Sequence, residues 1–265
     1  MAHAQINNAR LWYEVMGKGE PLLLHHGYTA SSVNWAPVAE RLKDRYQIIL
    51  MECRGTGESE DTVDGYSLEQ YAADVIGMMD HLGIETLTYA GHSMGGGIGF
   101  LLGLNYAERL DRLILMASVP AGGLPGEPDK EGLARTLKAR VENDREYFMQ
   151  NYVAGRFRPD VESDAWFSSR VDHLMRVSEG HLVGGYESMV AFDVEDRLPE
   201  LNLPTLVIAG AVDQLLRPNL NDYMRLPNAS LHVFSRAGHE VAIHEPDGVS
   251  EAIDAFMQYG VVRRR

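Results

Sequence analysis

Between residues 11 and 116 the chain alternates short apolar runs with longer amphipathic stretches, and nothing else in the sequence limits the fold so tightly. Residues 11–15 alternate as an early strand does. Residues 21–25 (PLLLH) and 47–51 (QIILM) are unbroken apolar runs, the pattern of strands covered on both faces. Residues 86–90 and 112–116 read as two more strands. Helical spacing fills the gaps at residues 33–42, 67–82 and 94–106, with Ser67 and Gln70 placed as a capping box. Strand, helix, strand, helix in this order predicts an α/β fold, a mostly parallel sheet with helices on both faces.

The rhythm stops at Ser118. Residues 119–129 hold three prolines and three glycines and read as a loop. Only helical patterns follow, over residues 131–150, 164–177 and 181–192. The alternation then returns, with strands at 204–209 and 230–234 and helices at 218–226 and 248–259. The expected organisation is therefore a core of residues 1–118 and 199–265, interrupted by an inserted all-helical cap over 119–198.

The chain carries 24 basic and 38 acidic side chains, a net charge of −14. Such a surface repels phosphate, so nucleic acid is not an expected partner. The one basic run, Arg263–Arg265, reads as a solvated tail. Cys53 is the only cysteine, which excludes an intrachain disulfide. Residues 1–10 lack a signal-peptide pattern, and no run approaches 18 apolar residues. A cytoplasmic protein acting on a small molecule, without membrane contact, is the expectation.

The strongest local signal is Gly91-His92-Ser93-Met94-Gly95, between an expected strand and an expected helix. A strand that runs straight into a helix needs a sharp turn. Glycines on both flanks let the backbone close up and leave Ser93 at the tip. The plainer interpretation is a simple strand-to-helix turn with an incidental serine.

Here the chain resembles the α/β-hydrolases, serine enzymes with such a nucleophile elbow. The resemblance spans residues 11–117 and 203–257. It implies an acid after a later strand and a histidine after the last one, and this chain has Asp213 and His239 at those places, in the order Ser93, Asp213, His239. The chemistry agrees. A serine hydroxyl needs a base, histidine titrates in the right range, and a carboxylate on its far nitrogen fixes the tautomer. The loop after residue 116, Ala117-Ser118-Val119, has no carboxylate to compete with Asp213.

The resemblance also covers His26-Gly27. It implies that the backbone N–H groups of Tyr28 and Met94 form an oxyanion hole, with His25 and His26 supporting the loop. The run from Glu52 to Ser59 resembles a family loop in which an aspartate usually stands at Glu52. Cys53 reads as inert core. No metal-ligand spacing occurs among the ten histidines, so no metal and no cofactor are expected.

The insertion is rich in aromatic and methionine residues and is expected to be a mobile lid over Ser93, joined through the loop from Pro120 to Pro128. Tyr28, Trp35, Phe148, Trp166 and Leu215 are the expected substrate pocket. Arg156, Arg158, His173 and His181 remain open between carboxylate binding and solvation. The expected reaction is hydrolysis of a carboxylic ester or lactone of a small, largely apolar substrate through an acyl-enzyme. Three alternatives stand beside it. They are a carbon–carbon bond hydrolase of dienoic diketone acids, a cofactor-free haloperoxidase-like perhydrolase, and a hydrolase-fold ligand receptor.

Overall fold

A computed structural model describes residues 1–124 and 129–261. Residues 125–128 of the expected hinge loop and the basic tail Arg263–Arg265 lie outside the described residues. Eight strands form one sheet: β1 (Ala2–Ile6), β2 (Ala9–Met16), β3 (Glu20–His25), β4 (Tyr46–Met51), β5 (Leu87–His92), β6 (Leu110–Met116), β7 (Thr205–Gly210) and β8 (Ala229–Phe234). Their order is β1-β2-β4-β3-β5-β6-β7-β8. The pairs β1–β2 and β2–β4 are antiparallel, and every later pair is parallel.

Period-two alternation sorts the strand side chains between two helical layers. On β3, Leu23 packs with Leu68, Tyr71 and Val75 of α2 (Leu68–Leu82) and Ile98 of α3 (Met94–Asn105). Its neighbours Leu22 and Leu24 face the other side. There they meet Val38 and Leu42 of α1 (Ala36–Leu42) and Ile253 and Phe256 of the last helix, Pro246–Tyr259. Both faces are dry, which is why these strands read as continuous apolar runs. Ser67 caps α2 by accepting from the Gln70 N–H at 3.2 Å. The Gln70 side chain turns instead to Asp74 Oδ1 at 2.9 Å.

Strand β1 was not expected. Asn7 and Asn8 (φ 45° and 64°) make the tight turn that folds it back on β2. Asparagine tolerates this left-handed region, so the Asn-Asn pair was the available signal.

Among the described residues the regular elements between β6 and β7 are all helical: α4 (Lys130–Val141), α5 (Arg145–Ala154), α6 (Asp164–Arg176), a π-helical turn over His181–Gly185 that runs into α7 (Tyr186–Ala191), and a 3-10 turn over Glu195–Glu200. The single helix expected over 131–150 is broken. Asn143 turns left-handed (φ 54°), and Asp144 caps α5 by accepting from Tyr147 N–H at 3.0 Å. Three further helices are α8 (Leu216–Arg225), α9 (Val241–His244) and α10, the Pro246–Tyr259 helix. Among the described residues no helix is long and apolar enough to cross a membrane.

Candidate active site

Ser93 sits between the last residue of β5 and the first of α3, at φ 55° and ψ −115°. A non-glycine residue there is strained, and the surroundings hold it. A Cβ on Gly91 would lie 2.1 Å from the Gly95 carbonyl oxygen, and one on Gly95 would lie 2.7 Å from that of His25. Both positions therefore require glycine. The Ser93 N–H donates to the Met116 carbonyl at 3.0 Å, and its own carbonyl accepts from Val119 at 2.9 Å.

The two other expected residues meet Ser93 from separate loops. Asp213 follows β7 and His239 follows β8. Ser93 Oγ is 3.0 Å from His239 Nε2, and His239 Nδ1 is 3.0 Å from Asp213 Oδ2. The hydroxyl donates to Nε2, and the Nδ1–H donates to the carboxylate. The other oxygen, Asp213 Oδ1, accepts from the Leu215 N–H at 3.1 Å. The Asp213 side chain is only 4% exposed, whereas that of His239 is 38% exposed.

Burial disfavours imidazolium at His239. The hydrogen bond and charge of Asp213, with help from Glu240, outweigh it and raise the pKa above the usual histidine value. At Asp213 burial pushes the other way from the net result, and the bond from His239 keeps the carboxyl low. His92, inside the elbow motif, is fully buried. Burial first, then the neighbouring His239, push its pKa down to about 4.

Gly27 brings the next amide to the serine, since a Cβ on it would lie 2.8 Å from Ser93 Cβ. Tyr28 follows it. Met94 opens α3, where a first-turn N–H has no intrahelical acceptor. The Tyr28 hydroxyl donates to the Leu182 carbonyl in the π-helical turn at 2.5 Å, and its ring stacks on His181 at 5.5 Å.

The supporting histidines are committed to hydrogen bonds. His26 Nδ1–H donates to the Gly27 carbonyl at 2.8 Å, and its Nε2 accepts from Cys53 N–H at 3.1 Å. His25 Nδ1–H donates to the Tyr89 hydroxyl at 2.7 Å, and that hydroxyl donates to the Gly95 carbonyl at 2.8 Å. The Cys53 thiol, which burial keeps protonated, faces His25 Nε2 at 3.2 Å. The ligand atoms of His25, His26 and Cys53 lie within 4.8 Å of one another, but these bonds already occupy the lone pairs a metal would need. Glu52 accepts from Ser32 Oγ and the Glu58 N–H, both at 2.8 Å, so it ties its loop to the turn that leads into α1.

An alpha/beta hydrolase fold family model matches residues 20–246. The chain belongs to the alpha/beta hydrolase fold family. It is 28% identical over 264 residues to a Caulobacter sp. (strain K31) protein provisionally named carbamate hydrolase RutD, covering 93% of this chain and 95% of that one. It is 27% identical over 267 residues to a non-heme haloperoxidase of Rhodococcus erythropolis, covering 95% and 97%. A thermophilic esterase from Thermogutta terrifontis matches in structure with TM-score 0.80 and 28% identity, covering 94% of this chain and 93% of that one. Hydrolase chemistry is the level of function these likenesses support.

A cavity of about 410 Å³ lies between Tyr28 and the helices that separate β6 from β7. Two expected pocket residues, Tyr28 and Phe148, line it. Tyr147 and Tyr186, two of the insertion's aromatic residues, line it as well, and Tyr152, Leu174 and Leu182 were not foreseen, because only the fold shows which face of each helix turns inward. Trp35 corrects the expectation. It is fully buried in the α1 layer, with its indole N–H donating to the His25 carbonyl at 2.9 Å. Trp166 packs on Phe167 at 5.2 Å, and Leu215 meets Asp213 through its backbone, so neither lines the cavity. Ser93 does not line it either, and Tyr28 is the link between cavity and elbow.

The four open candidates also find places. Arg156 pairs with Asp164, and Arg158 with Asp160 and Glu245. His173 donates to the Ala30 carbonyl at 2.7 Å, and His181 Nδ1 meets the Tyr71 hydroxyl at 2.8 Å. None of the four lines the cavity.

Proposed function

We propose that this chain hydrolyses a carboxylic ester or lactone with a neutral, largely apolar acyl group, through an acyl-enzyme on Ser93. The observation that carries the reading is the unbroken chain from Ser93 Oγ to His239 to Asp213, with both links at 3.0 Å. Ser93 Oγ attacks the carbonyl carbon while its proton passes to His239 Nε2. The oxygen that gains charge lies toward the N–H groups of Tyr28 and Met94. The tetrahedral adduct collapses, His239 gives its proton to the leaving alkoxide, and the acyl group stays on Ser93. Water then attacks the acyl carbon and gives a proton to His239, and collapse of this second adduct returns that proton to Ser93 Oγ as the acid leaves. No step needs a cofactor.

The cavity supports the substrate class. Among the described residues its lining is mostly aromatic and aliphatic, its one charged side chain is Asp129, and no Arg, Lys or His contributes to it. Helices α4, α5 and α6 act as its roof. A diketone acid would need a cation there. Arg140, the cap arginine whose charge is felt at Tyr28, instead donates to the Val177 carbonyl. That favours ester or lactone cleavage over carbon–carbon cleavage.

The test is turnover of p-nitrophenyl acyl esters by the wild type and by Ser93→Ala. Hydrolysis that is lost in the variant supports the reading, and full turnover by Ser93→Ala sinks it. Short and medium acyl chains should be cleaved faster than the same ester carrying a carboxylate on the acyl group. Tight binding of an ester without turnover by the wild type would favour a ligand receptor.

A further inference from the structure

We infer that Glu162 and Arg170, both carried by the inserted helical segment, are positioning residues for His239, holding the backbone on either side of it. The inference rests on the reading of His239 as the base.

On the N-terminal side, the Gly238 N–H donates to His244 Nδ1 at 3.0 Å. His244 Nε2–H donates to Glu162 Oε1 at 2.9 Å. The carboxylate is itself fixed, because Oε2 accepts from the Phe157 and Arg158 N–H groups, each at 2.7 Å. The side chains of His244 and Glu162 are 2% and 8% exposed, so the relay is closed to water. On the C-terminal side, Glu240 Oε2 accepts from Asn34 Nδ2 at 2.7 Å. Asn34 Oδ1 accepts from Arg170 Nη1 at 3.1 Å, and Arg170 Nη2 is 3.8 Å from Glu240 Oε1.

Buried charges are a poor way to glue a helix to a sheet. Desolvation cancels most of their attraction, and apolar packing would hold the segment as well. What a satisfied buried network such as the Glu162 relay provides is one geometry, whereas in the second network Arg170 Nε finds no hydrogen-bond partner. Here both networks end on residues adjacent to His239. The first residue of the relay, Glu162, lies just before α6, and the last of the second network, Arg170, lies midway along it. The inserted segment is therefore anchored at this end, and a lid motion would have to pivot elsewhere. A misplacement of about 1 Å in a reacting group can cost about a hundredfold in rate, so such a clamp bears directly on turnover.

The groups facing His239 are Asp213 after β7, Glu240 beside it, His92 at the end of β5, Ser93 at the elbow and Arg170 from α6. Arg170 disfavours imidazolium, and Glu240 and Asp213 favour it.

The experiment compares Glu162→Ala, Glu162→Gln and Arg170→Met with the wild type. It reads kcat and KM on a p-nitrophenyl ester, the pH profile, the far-downfield proton resonance of the His239 Nδ1–H, and Tm. Glu162→Ala should lower kcat by about tenfold to a hundredfold with KM little changed, and should broaden or lose the resonance. Glu162→Gln keeps an acceptor for His244 but turns its NH2 on the Phe157 and Arg158 N–H donors, so it should recover only part of both. Arg170→Met should move the acid limb of kcat/KM to higher pH.

If Glu162→Ala and Arg170→Met lower Tm but leave kcat, the acid limb and the resonance as in the wild type, the clamp is overturned. If Glu162→Ala does not fold, kcat and the His239 resonance of Arg170→Met decide. Full turnover by Ser93→Ala would defeat the hydrolase reading. The resonance, which needs no substrate, would still judge the clamp.

Discussion

His92 Nε2–H donates to the backbone carbonyl of His239 at 2.9 Å, so the residue that precedes the strained serine holds the residue that faces it. Their rings lie 4.9 Å apart. Replacing His92 by Leu leaves that carbonyl unpartnered in a partly buried site. The expected cost is about 1–3 kcal/mol of stability, with a kcat loss that exceeds any change in KM. Urea denaturation and steady-state kinetics read the two. An unchanged kcat would mean that His239 is held without this bond.

Because the His239 pKa is raised above 6.5, the neutral base forms only as pH climbs through that higher value. The ratio kcat/KM should therefore rise with pH and reach half its maximum above pH 6.5. Asp213→Asn removes both the charge and the acceptor that fixes the tautomer, so the variant should fold and lose roughly 10⁴-fold in kcat. A profile flat from pH 5 to 8 on an activated ester contradicts the assignment of the base.

Phe148 lines the cavity and Trp166 does not, although both are aromatic residues of the inserted helices. Phe148→Ala should change the ratio of kcat/KM between short and bulky acyl esters. Trp166→Ala should leave that ratio in place. Equal effects from the two would place the acyl group outside this cavity.

Arg54 and Asp74 form a two-bond pair, Nε to Oδ2 at 2.9 Å and Nη2 to Oδ1 at 2.8 Å, with side chains 4% and 1% exposed. Taking away one partner strands a buried charge. Asp74→Ala should cost about 3–5 kcal/mol in chemical denaturation, while a p-nitrophenyl ester is still cleaved at temperatures where the variant remains folded. A loss below 1 kcal/mol would show that water reaches the guanidinium.

Strands β3 to β8 were legible because each rests on its own composition. Leu22, Leu23 and Leu24 are apolar in sequence whichever helix they meet. The elbow was legible for a similar reason, since Gly91, Ser93 and Gly95 are all needed within five residues. The break at Asn143 was misread, and the strand β1 was not expected. A lone asparagine such as Asn143 looks like any polar residue until its φ is known, whereas the Asn7-Asn8 pair was a usable turn signal.

By itself the sequence determined the alternation of strand and helix, the strained turn at Ser93 and the order in which Ser93, Asp213 and His239 follow along the chain. These depend on local propensity and on chemistry that each residue carries alone. Only the tertiary structure decided that Trp35 is core and Tyr147 lines the cavity, because the inward face of a helix is set by what packs against it. Only it brought Glu162 to His244, 82 residues away, and His92 to His239, 147 residues away. No periodicity records such pairs. The folded sheet and the inserted helices create them when they bury polar groups that must then find partners.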